Sequence, residues 1–449
     1  MAETYPLPPS PRRFHGFQQF NQNPHLYMHE LLQCYGDVVR WRGFFDVHFV
    51  NHPEYVRRVL SHSHEQFSKQ VIDYRVLARI MGNGLVSNDG PHWVKQRKLM
   101  QPMFANRVVN GFDKPINELT QTMLAQWDEQ IDVQPIAIDQ QMGRLAFQIV
   151  GATLFGSDID QYAEEIAEIL ELVNLQTQEI RALMTLYPWL PTPYNRKWRK
   201  AKRRLDEIVY GMISVRRRDG EQENDILDRL IRARDGDTNE PMSEEQMRDE
   251  VVTLMLAGHE TSSTALAWTL YLLAQHSVVE NRLAEELDGA LHGEPASSTD
   301  LAAVPYLKQV VQESMRIYPP VWAVARRSNQ AEVFGEYEIP AGSYVAVVPY
   351  ALHRHPEFWP DPERFDPDRF QSNSGESRHS YCYLPFAAGP RACIGLGMAM
   401  LEIQLVLAQI VQRYRVELIA GHPVESIAKV TLKQRYGLPL KLTRRRNRG

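Results

Sequence analysis

The chain has 449 residues, 43% of them hydrophobic and 23% charged, the proportions of a globular protein able to bury a core that encloses a cofactor. Its formal net charge of −5 argues against nucleic acid as the main partner, because phosphate backbones select basic surfaces. The three cysteines, Cys34, Cys382 and Cys393, form neither a CxxC pair nor an even framework, which excludes a zinc module and a disulfide scaffold and suits a reducing compartment.

Residues 1–32 are proline-containing and polar and lack the charged-then-apolar pattern of a signal peptide. Nowhere does an apolar run reach the roughly 18 residues of a spanning helix, so a cytoplasmic protein without a transmembrane anchor is expected. Residues 38–50, VVRWRGFFDVHFV, are β-branched and aromatic and predict strands. Residues 52–68 predict a helix, and 69–90, with Gly82, Gly84 and Gly90, a long loop. Helical patterns dominate from 91 to 317, broken near Gly111, Pro135, the stretch from Pro188 to Pro193, and Gly236. From 318 to 392 short strands and proline-rich turns follow; one helix comes after Gly395, and short strands close the chain. No linker divides these parts, so one domain over 1–449 is expected, mainly α with a minor β portion.

The helix expected from Ser243 to His276 carries the first sign of a site. Ser243 and Gln246 are spaced as a capping box. The following VVTLMLAGHETSSTALAWTLYLLA is apolar on nearly every side, as in a helix of the interior. Gly258, His259, Glu260 and Thr261 interrupt it. Glycine costs about 1 kcal/mol against alanine there, and glutamate is rarely buried without a partner. Rules broken at the centre of a buried helix point to function. Zinc-protease chemistry fails, because Ser263 stands where HExxH needs its second histidine. His62 with His64, and His353 with His355, read as surface or structural histidines.

The strongest motif is Phe386-Ala-Ala-Gly389-Pro-Arg391-Ala-Cys393-Ile-Gly395. A thiolate is a soft ligand that pushes electron density onto iron. Gly389 and Gly395 allow tight turning and close approach, and the helix opening at Gly395 aims its free N–H groups at the sulfur. This segment resembles the haem-binding loop of the cytochrome P-450 superfamily, a resemblance that spans most of the chain. It implies the cytochrome P-450 fold, haem b (iron protoporphyrin IX), Cys393 as axial ligand, Phe386 shielding the sulfur and Arg391 on a haem propionate.

Further motifs match the family in order. Ala257-Gly258-His259-Glu260-Thr261-Ser262 is similar to its oxygen-activating segment, which would set Ala257 against the haem and make Thr261 the proton donor and Glu260 the relay. Gly258 and Thr261 would loosen the helix there and open a groove for O2 and water. The plainer alternative is a threonine bonded to its own i−4 carbonyl and a glutamate in a core ion pair. Trp93-Val-Lys-Gln-Arg97 resembles the propionate-binding WxxxR helix, and Arg326 matches another propionate arginine, with Arg327 leaving that register open by one. Glu313-Ser-Met-Arg316, followed by Pro362-Glu-Arg364-Phe365, implies a structural triad of Glu313, Arg316 and Arg364.

The resemblance implies a haem-thiolate monooxygenase that inserts one oxygen atom from O2 into a lipophilic substrate. Electrons would come from a separate ferredoxin or flavodoxin with an NAD(P)H-dependent reductase, docking near Lys95, Lys98 and Arg107. Two alternatives stay open: a peroxide-driven or isomerising haem enzyme, and a non-enzymatic gas-binding protein. Apolar stretches expected to wall the pocket are Val71 to Val86, Leu170 to Leu175, Leu254 to Ala257, Val321 to Val324, and the region of Gly437. They suit a fatty acid, terpenoid or steroid. Arg42 is the candidate cation for a fatty-acid carboxylate; if it faces water, neutral terpenoids or steroids are favoured.

Overall fold

The computed structural model describes residues 5–445 apart from 62–64, 132, scattered positions between 157 and 188, 220–224, 237 and 372–377. The longer helices are α1 (Phe17–Gln22), α2 (Pro24–Tyr35), α3 (Pro53–Ser61), α4 (Ile72–Met81), α5 (Gly90–Met100), α6 (Asp113–Asp128), α7 (Ile138–Leu154), α8 (Pro193–Asp219), α9 (Glu244–Gln275), α10 (Ser277–Leu291), α11 (Pro305–Ile317) and α12 (Leu396–Arg413). Among the described residues, no helix is long and apolar enough to cross a membrane.

α9 is the axis of the core. Its N-cap is as expected: Ser243 Oγ accepts from the Gln246 amide at 3.1 Å. The Gln246 side chain does not close the box, however; it donates to Glu250 at 2.8 Å and to the Asn83 carbonyl at 3.3 Å. Of the 32 residues, 24 are buried, so the helix is wrapped on nearly every side, chiefly by α7, α11, α12 and α8. Gly258 does not loosen it. The helix runs unbroken through Gly258, and a Cβ there would stand 2.9 Å from Val150 Cγ2. That glycine is a packing requirement of the α9–α7 crossing, which corrects the reading of it as a groove for O2.

The principal sheet has the order β1 (Val38–Arg42), β2 (Asp46–Val50), β8 (Tyr344–Val347), β5 (Val324–Ser328), β3 (Phe67–Ser68). β2 and β8 are parallel, with Val47 opposite Tyr344; the other neighbours are antiparallel. A sheet with partners nearly 300 residues apart lets the 38–68 and 324–347 segments share one apolar face, on which Trp41, Phe49 and Ala346 pack with Tyr27 and Leu31 of α2. Between them lie β6 (Glu332–Phe334) and β7 (Tyr337–Ile339), a hairpin. At the chain end, β9 (Tyr414–Leu418) and β12 (Pro439–Arg444) pair with each other, and β12 with β4 (Ile136–Ala137). β10 (Ser426–Ala428) and β11 (Leu432–Gln434) form a second hairpin.

Two sequence expectations need correction. The 52–68 helix ends at Ser61, and Phe67–Ser68 is instead the edge strand β3. The expected loop at 69–90 contains α4, which buries Val76 and Ile80 at i, i+4 spacing. The glycines that suggested a loop lie beyond it: Gly82 has φ +63°, and a Cβ there would collide with the Asp249 carboxylate.

The buried ion network exists, with a different third member. Arg316 and Glu313 are both fully buried and paired at 2.7 and 2.9 Å. Arg364 is not part of it through its side chain, which is 70% exposed and lies 3.8 Å from Asp366; only its carbonyl accepts from Arg316, at 3.1 Å. The second cation on Glu313 is Arg369, at 3.3 Å and nearly buried. Pro-x-Arg-Phe occurs twice, five residues apart, and the turn between the copies brings the second arginine inward. His353 is structural: it bonds the Arg316 carbonyl at 3.2 Å and accepts from the Leu384 amide at 2.8 Å. His62 and His64 lie outside the described residues. Among the described residues no cluster could hold a metal through several histidine, cysteine or acidic side chains.

Candidate functional site

The 386–395 loop folds back on itself, with the Cys393 amide donating to the Phe386 carbonyl at 2.9 Å. Gly389 is obligatory, because φ is +72° and a Cβ would stand 2.3 Å from the Leu60 carbonyl oxygen of α3. Gly395 is different. It is the N-cap of α12 at an ordinary φ of −88°, and a Cβ would only touch Cys393 Sγ at 3.9 Å. The backbone alone does not demand a glycine there; close approach of a bulky group to the sulfur would. Phe386 and Ile394 are half-buried and pack against the main core. Burial raises the Cys393 pKa, opposed by the Gly395 amide and by Arg97, whose Nη1 donates to the adjacent Ala392 carbonyl at 2.8 Å. The Cys393 side chain nonetheless presents open surface, whereas Cys382 is buried with its pKa pushed up to about 11. Both facts about Cys393 hold together if its surface faces the interior.

Beside this loop lies a concentration of buried cations. Arg326 is 2% exposed while Arg327 is exposed, so Arg326 is the one of the two that faces inward. Its Nη1 donates to Tyr74 Oη and to its own strand at 2.8 Å, but its buried Nε has no partner. Arg391 binds Asp89 and donates to the Phe67 carbonyl at 2.8 Å. Trp93 is buried with Arg391 and Lys69 over its ring at 5.8 and 5.7 Å. Sequence reasoning missed Lys69. Its ammonium donates to the Leu85 and Val86 carbonyls at 3.0 Å, and its pKa is driven well down by burial and then by Arg326 and Arg391. A lone lysine in an apparent loop gives no sequence signal.

Buried like charges with an unsatisfied guanidinium N–H require an anion. Asp89 supplies one carboxylate. The remaining excess fits the two propionates of a haem, with Trp93, Arg97, Arg326 and Arg391 in the region where the motifs placed them.

Ala257 and Thr261 line a cavity of about 500 Å³. Thr261 Oγ1 donates to the Ala257 carbonyl at 2.8 Å. Glu260 is held on both oxygens, by Lys433 at 2.8 Å and by the Thr431 hydroxyl at 2.9 Å. Burial raises its pKa, but Lys433, His259 and Thr431 together outweigh this and the net shift is downward. Both residues thus adopt the contacts of the plainer alternative, and Glu260 is an ion-paired carboxylate in the cavity wall.

The other walls come, as expected, from α4 (Ile72, Leu77, Met81), Val86 and Val321 to Val324, with Ala325 added to them. Of Leu170 to Leu175 most residues lie outside the described ones, and Leu172 packs in the core. The final wall is Ala428 to Thr431 rather than the Gly437 region; Gly437 instead stands against Asp139 of α7. An unforeseen wall comes from the N-terminal segment and the first hairpin, through Phe17, Phe20, Trp41, Phe44 and Phe45. Arg42 is not among the lining residues, but Lys429 and Asp73 are.

Comparison with known proteins agrees with this geometry. Residues 6–440 match the cytochrome P450 family. The chain is 32% identical over 393 residues to cyclooctat-9-en-7-ol 5-monooxygenase of Streptomyces melanosporofaciens, covering 87% of this chain and 84% of that protein. It is 30% identical over 424 residues to pentalenene oxygenase of Streptomyces avermitilis, covering 94% and 93%. The fold is similar to that of retinoic acid bound cyanobacterial CYP120A1, with a TM-score of 0.87 and 26% identity over 99% of this chain and 100% of that one. The cysteine loop, the buried cations and these likenesses agree: the chain belongs to the cytochrome P450 superfamily and is a haem-thiolate monooxygenase.

Proposed function

We propose that this enzyme hydroxylates a neutral, medium-to-large lipophilic molecule, a terpenoid or steroid before a fatty acid, with electrons from a separate ferredoxin or flavodoxin served by an NAD(P)H-dependent reductase. The observation that carries the reading is the cavity of about 500 Å³ with Ala257 and Thr261 at one wall and an aromatic cluster at another. Apolar burial there is worth about 25 cal/mol per Å². The relatives are named for cyclooctat-9-en-7-ol and pentalenene, and the structural neighbour binds retinoic acid, ligands with lipophilic skeletons.

Haem b, when bound, supplies O2 activation and oxygen-atom insertion. The chain supplies the rest. Cys393 presents its sulfur, and the Gly395 amide and Arg97 oppose the burial that raises its pKa. Trp93, Arg97, Arg326 and Arg391 would hold the haem propionates, Arg391 being paired already with Asp89. Thr261 keeps a proton at Oγ1, parked on the Ala257 carbonyl and free to turn into the cavity. Glu260, tied to Lys433 and to the Thr431 hydroxyl, is fixed in that wall beside Thr261. Apolar side chains exclude water from the remainder.

The test compares product formation with NAD(P)H and surrogate redox partners, with peroxide alone, and with neither, over a panel of terpenoids, steroids, a long-chain fatty acid and its methyl ester. Oxygenated terpenoid or steroid in the first arm is expected. Equal product from peroxide alone would favour a peroxygenase, and a strong preference for the free fatty acid would overturn the substrate class.

A further inference from the structure

The substrate cavity has one acidic contact that its lipophilic lining does not explain. Asp73 sits in the first turn of α4, and Tyr344 opens β8; both line the cavity. Tyr344 Oη donates to Asp73 Oδ2 at 2.6 Å. The tyrosine is itself held in place, with its ring 5.9 Å from Phe45 and its carbonyl facing His48 Nδ1 at 3.4 Å. Among the described residues no cation pairs with Asp73, and the one side chain that hydrogen-bonds its carboxyl is Tyr344.

Two observations about Asp73 look opposed. Its side chain has open surface, yet burial raises its pKa. They agree if the open surface faces the cavity and not bulk water. The second oxygen of Asp73, Oδ1, accepts from no other side chain, in a cavity that Phe45, Val47, Ile72 and Leu77 also line. An unfilled acceptor in an apolar site is costly. The group that fills it at least cost is a hydrogen-bond donor on the ligand.

We propose that Asp73, steadied by Tyr344, is the polar anchor of the cavity: Oδ1 accepts a hydrogen bond from a hydroxyl of an otherwise apolar substrate, so the enzyme takes a lipophilic alcohol and oxygenates it elsewhere. This rests on the lipophilic-substrate reading and narrows it. It also disfavours a ligand carboxylate at this wall, since two carboxyl groups would meet in a low dielectric. Lys429, on another wall, is the rival anchor and would select the acid.

The experiment is a spectral titration of the haem-loaded enzyme with a sesquiterpene alcohol, its methyl ether and its carboxylic acid. The alcohol should bind about tenfold more tightly than the ether, the value of one hydrogen bond to a charged or polarised group. Asp73→Leu should remove that preference, so that alcohol and ether bind within about twofold of each other. Asp73→Asn, which keeps shape and an acceptor oxygen, should retain part of it and shows that the site is still built. Equal binding of alcohol and ether, or a preference that survives Asp73→Leu, overturns the anchor alone. Tightest binding by the acid, lost in Lys429→Ala, moves the anchor to Lys429. Failure of all three ligands to bind, where small polar compounds do, overturns the substrate reading and the anchor together.

Discussion

Replacing the three arginines around Glu313 one at a time should separate a side chain that works from one that only lies nearby. Arg316 uses all five of its N–H groups: two on Glu313 at 2.7 and 2.9 Å, and others on the carbonyls of His353 at 2.9 Å, Pro362 at 2.7 Å and Arg364 at 3.1 Å. Lysine brings only three N–H groups, so Arg316→Lys strands at least two buried acceptors at about 1–3 kcal/mol each, and about 3 kcal/mol or more is expected even with the charge retained. Arg369→Ala removes the second cation from Glu313 and a 2.9 Å bond to the Asp361 carbonyl, for about 2 kcal/mol. Arg364→Ala loses an exposed side chain 3.8 Å from Asp366, worth less than about 0.5 kcal/mol, because any residue supplies the backbone carbonyl the network uses. Urea unfolding of the haem-loaded enzyme, followed by tryptophan fluorescence and by the Soret band, reads all three. An Arg364→Ala variant as unstable as Arg369→Ala would refute the reasoning.

Thr261→Ala should keep haem and substrate binding but divert reducing equivalents into hydrogen peroxide; tight coupling of NAD(P)H consumption to product in that variant counts against its role as proton donor. Glu402 of α12 is buried with one oxygen bonded by Ser262 at 3.0 Å and the other unpartnered, and burial pushes its pKa up from 4.5 to about 8. The folded state therefore keeps a proton that the unfolded state loses between those values, so stability falls as pH rises through that window, with a slope approaching about 1.4 kcal/mol per pH unit. Glu402→Gln should flatten the profile of urea midpoint against pH; an unchanged slope would show that Glu402 does not titrate there. Lys98 is exposed with no ion pair among the described residues, whereas its neighbour Lys95 pairs with Asp235 at 3.2 Å. Lys98→Glu should slow first-electron transfer from an acidic carrier more at low salt than at high, and a salt-independent effect rules out steering at this position.

What the sequence determined by itself was local. The Ser243 cap, the apolar length of α9, the Cys393 loop and its glycine at 389 depend on contacts or backbone angles within a few residues, and spacing reports those directly. The family follows from the same segments. Other features were out of reach because periodicity says which face is buried, not what covers it. Arg326 and Arg327 differ by one residue in a strand, and only the pairing of β5 with β8 decides which faces inward. Arg364 and Arg369 share one motif, and only the turn between them selects the second. Glu260 meets Lys433 across 173 residues, and Lys69 meets Arg326 and Arg391 across more than 250. Charges brought together from so far are decided by packing of the whole core, because they are tolerable only where that packing also provides the opposite charge, a carbonyl, or a ligand to meet them.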